Sequence, residues 1–134
     1  MGLISGIKLV HLDEKNSISE VPLRWLNKNP FDSMYFAVQS MAAELSTAAP
    51  VILALNGIDK NVALIIVELK VDFVKKAQSK VVFTCQDYEA INKAVANLQQ
   101  PGDTATVTVK SIGRNISGDE VATFYFTWSF KVRE

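Results

Sequence analysis

The sequence has few of the residues that build disulfides, metal centres and glycine-rich phosphate loops. It contains one cysteine, one histidine, six glycines and four prolines in 134 residues. A lone cysteine, Cys85, cannot form an internal disulfide, and its apolar neighbours indicate a packed strand residue. A single histidine leaves no His/Cys cluster for a metal, and the glycine motifs for phosphate or dinucleotide binding are missing. These absences exclude several large classes of site.

The sequence also lacks net charge, and we expect no secretory leader. Fourteen basic residues balance fourteen acidic ones, which indicates neither nucleic acid nor an acidic membrane as partner. Residues 1–6 have no basic start followed by an apolar run, and we expect no run near the roughly 20 apolar residues that cross a bilayer. We therefore expect one cytoplasmic domain over residues 1–134. Its 49% apolar composition fits an oligomer.

The strongest helix signal runs from Asn29 to Ala49 and is apolar on almost every side. Pro30, with Asp32 or Ser33 as a cap, predicts its start, and Pro50 predicts its end. A helix of this composition is expected to be buried all round. One of its faces carries small or polar residues at spacings of three and four, namely Ser33, Ala37, Ser40 and Glu44.

Alternating apolar and polar residues predict strands over most of the remaining chain. Val21, Leu23 and Trp25 share one side of the second strand, and Asp87 is expected to cap a short amphipathic helix. Strands with one dry face need an apolar cover, which only the long helix supplies. We predict an α+β fold in which a curled antiparallel sheet of five to six strands wraps around that helix. The predicted strands are residues 7–12, 17–25, 67–73, 81–86, 104–110 and 123–132.

Three segments resemble a known family in their order and spacing: NPFDSMYFAVQSMAAEL from Asn29, VELKVDFVKKA from Val67 and GDEVATFYFTWSF from Gly118. They are similar to the PaaI-like acyl-CoA thioesterases, in the branch related to the C-terminal domain of YiiD. The resemblance implies a hotdog fold and a homodimer that can pair further into a dimer of dimers, with acyl-CoA thioester sites between subunits. Dehydratases of this fold need a catalytic histidine, whereas His11 is expected on the first strand with no acid near it.

The resemblance and the physics of a helix start together nominate the site residues. Glu44 matches the helix acid of the family and is the candidate base or nucleophile. Backbone N–H groups of Ser33 to Phe36 are expected to stabilise the thioester oxyanion. No metal or cofactor is expected, and coenzyme A enters as part of the substrate. Residues assigned to orient water or the thioester are Asn29, Asp32, Gln39 and Ser40; those assigned to substrate contact are Ser33, Met34, Tyr35, Phe36 and Phe73; those assigned to the coenzyme phosphates are Lys75, Lys76, Lys80 and Arg114.

Structural roles compete with these assignments. Glu44 can pair with a lysine, Asp32 can cap the helix, and Ser40 can be a packing residue. Asp32-Ser33-Met34 also stands where the active branch of the family has His-Gly-Gly. Two other functions therefore stay open, a non-enzymatic module that binds an acyl or aromatic ligand and a partner of an acyl carrier protein. The sequence sets neither acyl chain length nor the choice between dimer and tetramer.

Overall fold

The computed structural model describes residues 6–24 and 27–133, and within them six antiparallel strands form one sheet in the order β1-β2-β4-β5-β6-β3. The predicted position of Trp25 lies outside the described residues. The strands are β1 (Lys8–Leu12), β2 (Ser17–Val21), β3 (Val62–Phe73), β4 (Val81–Cys85), β5 (Thr104–Arg114) and β6 (Glu120–Val132), and the helices are α1 (Phe36–Leu55) and α2 (Tyr88–Ala96).

The predicted α+β architecture, a curled sheet around a long helix, is confirmed. The core between α1 and the sheet contains fully buried phenylalanines of β4 and β6, Phe83, Phe124, Phe126 and Phe130. Hydroxyl groups of the helix also reach the sheet. Ser46 Oγ lies 2.7 Å from Ser111 Oγ on β5, and Trp128 Nε1 donates to Thr47 Oγ1 at 3.3 Å. These paired polar groups set the rotation of α1 on the sheet.

Helix α1 begins and ends later than predicted. Met34 N–H donates to Ala77 O at 2.9 Å and Tyr35 N–H donates to Asn27 O at 2.8 Å, so this segment is tied to neighbouring loops instead of forming a first turn. Pro50 lies inside the helix and is buried with Val51. Because burial stabilises this last stretch, it outweighs the helix bond that proline cannot make.

The apolar residues at the end of α1 change the prediction about membrane-spanning length. The 20 residues of α1 have a mean hydropathy of 1.4, and a helix of this length and composition can cross a membrane. The expectation that no run of about this length is apolar enough was therefore wrong, because the predicted helix stopped at Pro50 and left out the apolar residues Val51 to Leu55. In the structure 56% of the apolar window is buried inside the fold, as in a core helix.

One face of α1 is open, so the expectation of burial all round was also wrong. Phe36, Ala37, Glu44 and Ile52 are exposed on this face, whereas Val38 and the residues that share its side are buried. Apart from Glu44, the open face is uncharged. A largely apolar open face with a single charge is typical of a surface that another molecule covers.

Strand β3 is an edge of the sheet and is apolar on both faces. It begins at Val62, earlier than predicted, and an irregularity between Ile66 and Glu68 leaves Val67 without a counterpart on β6. The strict alternation expected around Val67 is therefore interrupted by a bulge. Large apolar residues exposed on β3 are Leu64, Ile65, Val67, Leu69 and Phe73. A long apolar edge of this kind favours pairing with another chain.

The contacts of three residues outside α1 define their structural roles. Cys85 is buried in β4, and burial raises the pKa of its thiol to about 11, which supports the packing role. His11 lies on exposed β1 with its Nε2 atom 2.7 Å from Asp13 Oδ2. The expectation of no nearby acid was therefore wrong, because the turn after β1 folds Asp13 back onto the ring. The predicted cap of α2, Asp87, stands at the N-cap, but its carboxylate accepts from Lys110 N–H of β5.

Candidate functional site

Aromatic side chains gather where α1 begins. The Phe36 ring lies edge-on to Phe73 of β3 at 5.8 Å between centroids and stacks on Phe124 of β6 at 6.3 Å. Phe124 is buried, whereas Phe36 and Phe73 are 49% and 56% exposed. We call Phe36 and Phe73 the aromatic patch. It offers an apolar, polarisable surface beside the helix start, suited to a flat or aliphatic group.

Unpaired backbone donors lie next to the aromatic patch. Within the described part of the chain, nothing accepts a hydrogen bond from the N–H groups of Phe36, Ala37 and Val38, and the first bond of the helix runs from Gln39 N–H to Tyr35 O at 3.1 Å. Helix starts leave such groups unsatisfied and carry a partial positive charge. They can therefore stabilise an oxygen that becomes negatively charged.

The predicted donor set was Ser33 to Phe36, and only Phe36 remains in it. The Ser33 N–H donates to Asn29 Oδ1 at 3.3 Å, while those of Met34 and Tyr35 are bound to loop carbonyls. Sequence reasoning placed the helix start three residues too early, so it selected amides that are already engaged.

Gln39 carries an unsatisfied acceptor in this region. Its side chain is only 5% exposed. The Nε2 atom donates to Met34 O at 3.4 Å, but Oε1 has no partner among the described residues. An unpaired buried carbonyl is unfavourable by about 1–3 kcal/mol, so Gln39 Oε1 is suited to accept a hydrogen bond from a bound water or ligand.

Asn29 and Asp32 are engaged in holding the loop before α1. Asn29 Oδ1 accepts from Phe31 N–H at 2.9 Å and from the Ser33 hydroxyl at 3.2 Å. Asp32 has a φ of 59° and pairs with Lys28 at 3.2 Å. Asp32 does not cap the helix, whose N-cap is Tyr35. Their contacts assign both side chains to loop structure.

The remaining predicted substrate contacts divide by burial. Met34 is 2% exposed and belongs to the core, and an isolated bridge pairs its backbone with that of Lys28. Its contact with substrate stays a prediction that this burial does not favour. Ser33 is buried as well, Ser40 is half-buried, and Tyr35 is exposed. Ser40 and Tyr35 therefore remain accessible to a ligand.

Glu44 is exposed on the open face of α1. It lies eight residues beyond Phe36, which corresponds to about 12 Å along the axis at the standard rise. No lysine or arginine lies within ion-pair distance of it in the described chain, so the alternative of a lysine pair is not seen. Within one chain Glu44 does not reach a group held at the first-turn amides.

Basic residues lie near the helix start on the segment 74–80. The hydrogen bond from Met34 N–H to Ala77 O holds this segment against the start of α1. Lys75 Nζ lies 2.8 Å from Asp119 Oδ2 and lowers the pKa of that carboxyl. Lys80 turns to Glu20 of β2 at 3.5 Å. Lys76 is exposed on the same segment, and Arg114 is exposed at the end of β5. In the described chain neither of these two cations is in an ion pair.

Metal ligands are not grouped in the described residues, where no three His, Cys, Asp or Glu side chains come together. The arrangement instead combines an apolar patch, free amides, a buried unpaired carbonyl and nearby cations. Such a combination can hold a carbonyl compound with an apolar group on one side and an anionic group on the other.

Comparison with solved structures identifies the fold that carries these residues. A protein of unknown function from Pseudomonas aeruginosa, described as a probable thioesterase, superposes with a TM-score of 0.81 at 21% identity, covering 98% of this chain and 86% of that one. A Chlorobaculum tepidum protein of unknown function gives a TM-score of 0.83 at 13% identity, with coverages of 99% and 86%.

A Staphylococcus aureus protein is similar too, with a TM-score of 0.71, 15% identity and 98% coverage of both chains, in a variant with one glutamate replaced by alanine. Another structure of that protein, called a thioesterase enzyme, has a glutamine replaced by alanine. No family model matches this chain, and a comparison with curated proteins gives no match. At these identities the likeness establishes the hotdog fold, and the narrower family branch stays a prediction.

Proposed function

We propose that this protein hydrolyses an acyl thioester, with acyl-CoA as the substrate, at an interface between two copies of the chain. The observation that carries the proposal is the meeting of three features at one helix start: the aromatic patch, the free amides of Phe36 to Val38 and the unpaired Oε1 of buried Gln39. The fold is shared with a protein called a thioesterase enzyme, which supports the same reaction.

In the proposed complex the thioester carbonyl oxygen accepts hydrogen bonds from the first-turn amides. Its acyl group lies on the aromatic patch, which removes apolar surface from water. As water attacks the carbonyl carbon, negative charge builds on that oxygen. The fixed amides stabilise it more strongly than they stabilise the neutral carbonyl, and this difference accelerates the reaction.

Glu44 is the proposed general base. It takes a proton from the attacking water, the new C–O bond forms, the C–S bond breaks, and the coenzyme leaves as a thiolate that takes up a proton. Gln39 Oε1 and the Ser40 hydroxyl are the proposed hydrogen-bond partners of that water. Replacement of a glutamate and of a glutamine in the Staphylococcus aureus protein concerns the same two residue types.

The distance of about 12 Å between Glu44 and the first turn means that the base and the amides come from different copies. A homodimer supplies this arrangement if β3 pairs with β3 of a second chain. The exposed apolar residues of β3 and the open face of α1 are the surfaces that such a dimer would bury. Two such dimers can associate further. Edge pairing of this type gives a two-fold, self-complementary interface.

Cations next to the helix start are the proposed partners of the coenzyme phosphates. Lys76 and Arg114 are not in ion pairs within the described chain, so they can bind phosphate without breaking an existing contact. Lys75 must leave Asp119 or share it. Lys80 contributes less because it faces Glu20.

The test is thiol release from a panel of acyl-CoAs by the wild-type protein and by Glu44→Gln. Loss of a general base lowers turnover by about 10²- to 10⁴-fold. Glu89→Gln is the matched control, because Glu89 is an exposed helical acid on α2. Equal turnover by the Glu44→Gln and wild-type proteins would remove Glu44 from the site. Acyl-CoA binding without any thiol release would favour a ligand-binding module.

A further inference from the structure

Three loops form one continuous surface around the helix start. They comprise residues 28–35, residues 74–80 and residues 114–120. The first is joined to the second by the bond from Met34 N–H to Ala77 O. The second is joined to the third by the pair of Lys75 and Asp119 at 2.8 Å. We call this the three-loop surface.

Each of the three loops exposes at least one large apolar side chain by more than 60%. Phe31 is 74% exposed, Val74 63% and Ile116 75%. The loops are nevertheless well tied, since Asn29 Oδ1 accepts from Phe31 N–H and Asn115 Oδ1 accepts from two N–H groups of its own hairpin. Apolar side chains held outward on fixed loops are typical of a surface that contacts another macromolecule.

The three-loop surface is also more basic than the rest of the chain. Its residues include five cations and three acids, a local charge of plus two on a chain whose net charge is zero. The unpaired cations Lys76 and Arg114 belong to it. A basic surface with apolar centres is complementary to an acidic protein, which it attracts and orients.

We infer that the three-loop surface docks an acidic carrier protein that presents the acyl group as a thioester on a flexible pantetheine arm. This inference rests on the proposed function, because the arm would enter at the helix start. Free coenzyme A would explain the cations, which can bind its phosphates. It has only one base that can stack on an apolar side chain, so it does not cover apolar side chains on three separate loops. An anionic lipid surface is less well matched, because three acids stand among the five cations.

The experiment compares one acyl group delivered on an acyl carrier protein and on coenzyme A. The double variant Phe31→Ser/Ile116→Ser is expected to lower kcat/KM for the carrier-bound substrate by about tenfold or more, since exposed apolar anchors dominate such interfaces. Its kcat/KM for acyl-CoA should stay within about twofold of the wild-type value. Leu9→Ser/Val10→Ser, two exposed apolar residues of β1, is the control and should change neither value.

Several results would overturn the docking surface. Equal losses of kcat/KM on both substrates would assign Phe31 and Ile116 to coenzyme binding. No loss on either substrate would leave these two residues without a role in docking. Conversion of the double variant to a monomer would assign them to the dimer interface. If the wild-type protein bound vesicles containing phosphatidylglycerol and the double variant did not, the two residues would belong to a lipid-binding surface.

A binding measurement separates this inference from the proposed function. The unacylated carrier protein should shift amide resonances of the three-loop surface in the wild-type protein but not in the double variant, and this needs no hydrolysis. If the wild-type protein released no thiol from either substrate but bound the carrier in this way, the proposed hydrolysis would fail and the docking surface would stand. If thiol were released and no carrier bound, the reverse would hold.

Discussion

The free amide of Phe36 offers a test of oxyanion stabilisation that leaves the helix intact. Proline is favoured at the first helical position because its missing N–H has no partner within the helix. The preceding residue, Tyr35, has φ −56° and ψ 140°, which suits a residue before proline. Phe36→Pro therefore removes one proposed oxyanion donor and the ring together, whereas Phe36→Ala removes the ring alone. The comparison of the two variants isolates the N–H group.

Losing one oxyanion donor lowers kcat by about 10²- to 10³-fold, or about 2.7–4 kcal/mol of transition-state stabilisation. We expect this difference between Phe36→Pro and Phe36→Ala in acyl-CoA thiol release. KM should change little, because the amide acts mainly on the charged transition state. Far-ultraviolet circular dichroism should show equal helix content. Equal kcat values for the two variants would refute an oxyanion role for this amide.

Three further predictions concern stability and assembly. Gly113→Ala places a methyl group 2.5 Å from the buried ring of Phe83, so urea unfolding should show about 1–3 kcal/mol of destabilisation; an unchanged midpoint would contradict the close packing. Backbone N–H groups lower the pKa of Asp13 to about 2, so its stabilising effect is present above about pH 4 and is lost as pH falls toward 2. A carboxyl NMR titration midpoint near 3.8 would contradict this. Ile65→Lys on the β3 edge should give a monomer in light scattering and little turnover in thiol release, whereas the control Ile116→Lys should stay dimeric. A dimeric and active Ile65→Lys protein would exclude the β3 edge as the dimer interface.

Residue patterns predicted the presence of the helices and strands better than the residues at which they begin and end. Alternation along β5 and β6 located the strands because one of their faces is buried. At Pro50 the local rule failed, since tertiary burial of Val51 and its neighbours outweighs one lost helix bond. Strand order, and the bulge that isolates Val67, depend on pairing between distant segments that alternation does not specify.

The candidate site was predicted in part. Glu44 and Ser40 were placed on one helix face, which is the face the structure leaves open. The burial of Met34 was not foreseen, because its backbone is bound at Ala77, far away in sequence. The unpaired Oε1 of Gln39 has no signature in sequence, although Gln39 itself was selected. The aromatic patch joins Phe36 of α1 to Phe73 of β3, and the curl of the sheet brings these two distant positions together.

The central claim is that the base of one copy acts on a thioester held by the amides of the other. Co-expression of Glu44→Gln and Phe36→Pro chains with different tags tests it most directly, through thiol release by the purified mixed dimer population. Each mixed dimer has one intact site out of two, so the purified mixed dimers should show about half of wild-type turnover. Turnover no higher than the average of the two variants measured separately would contradict the account.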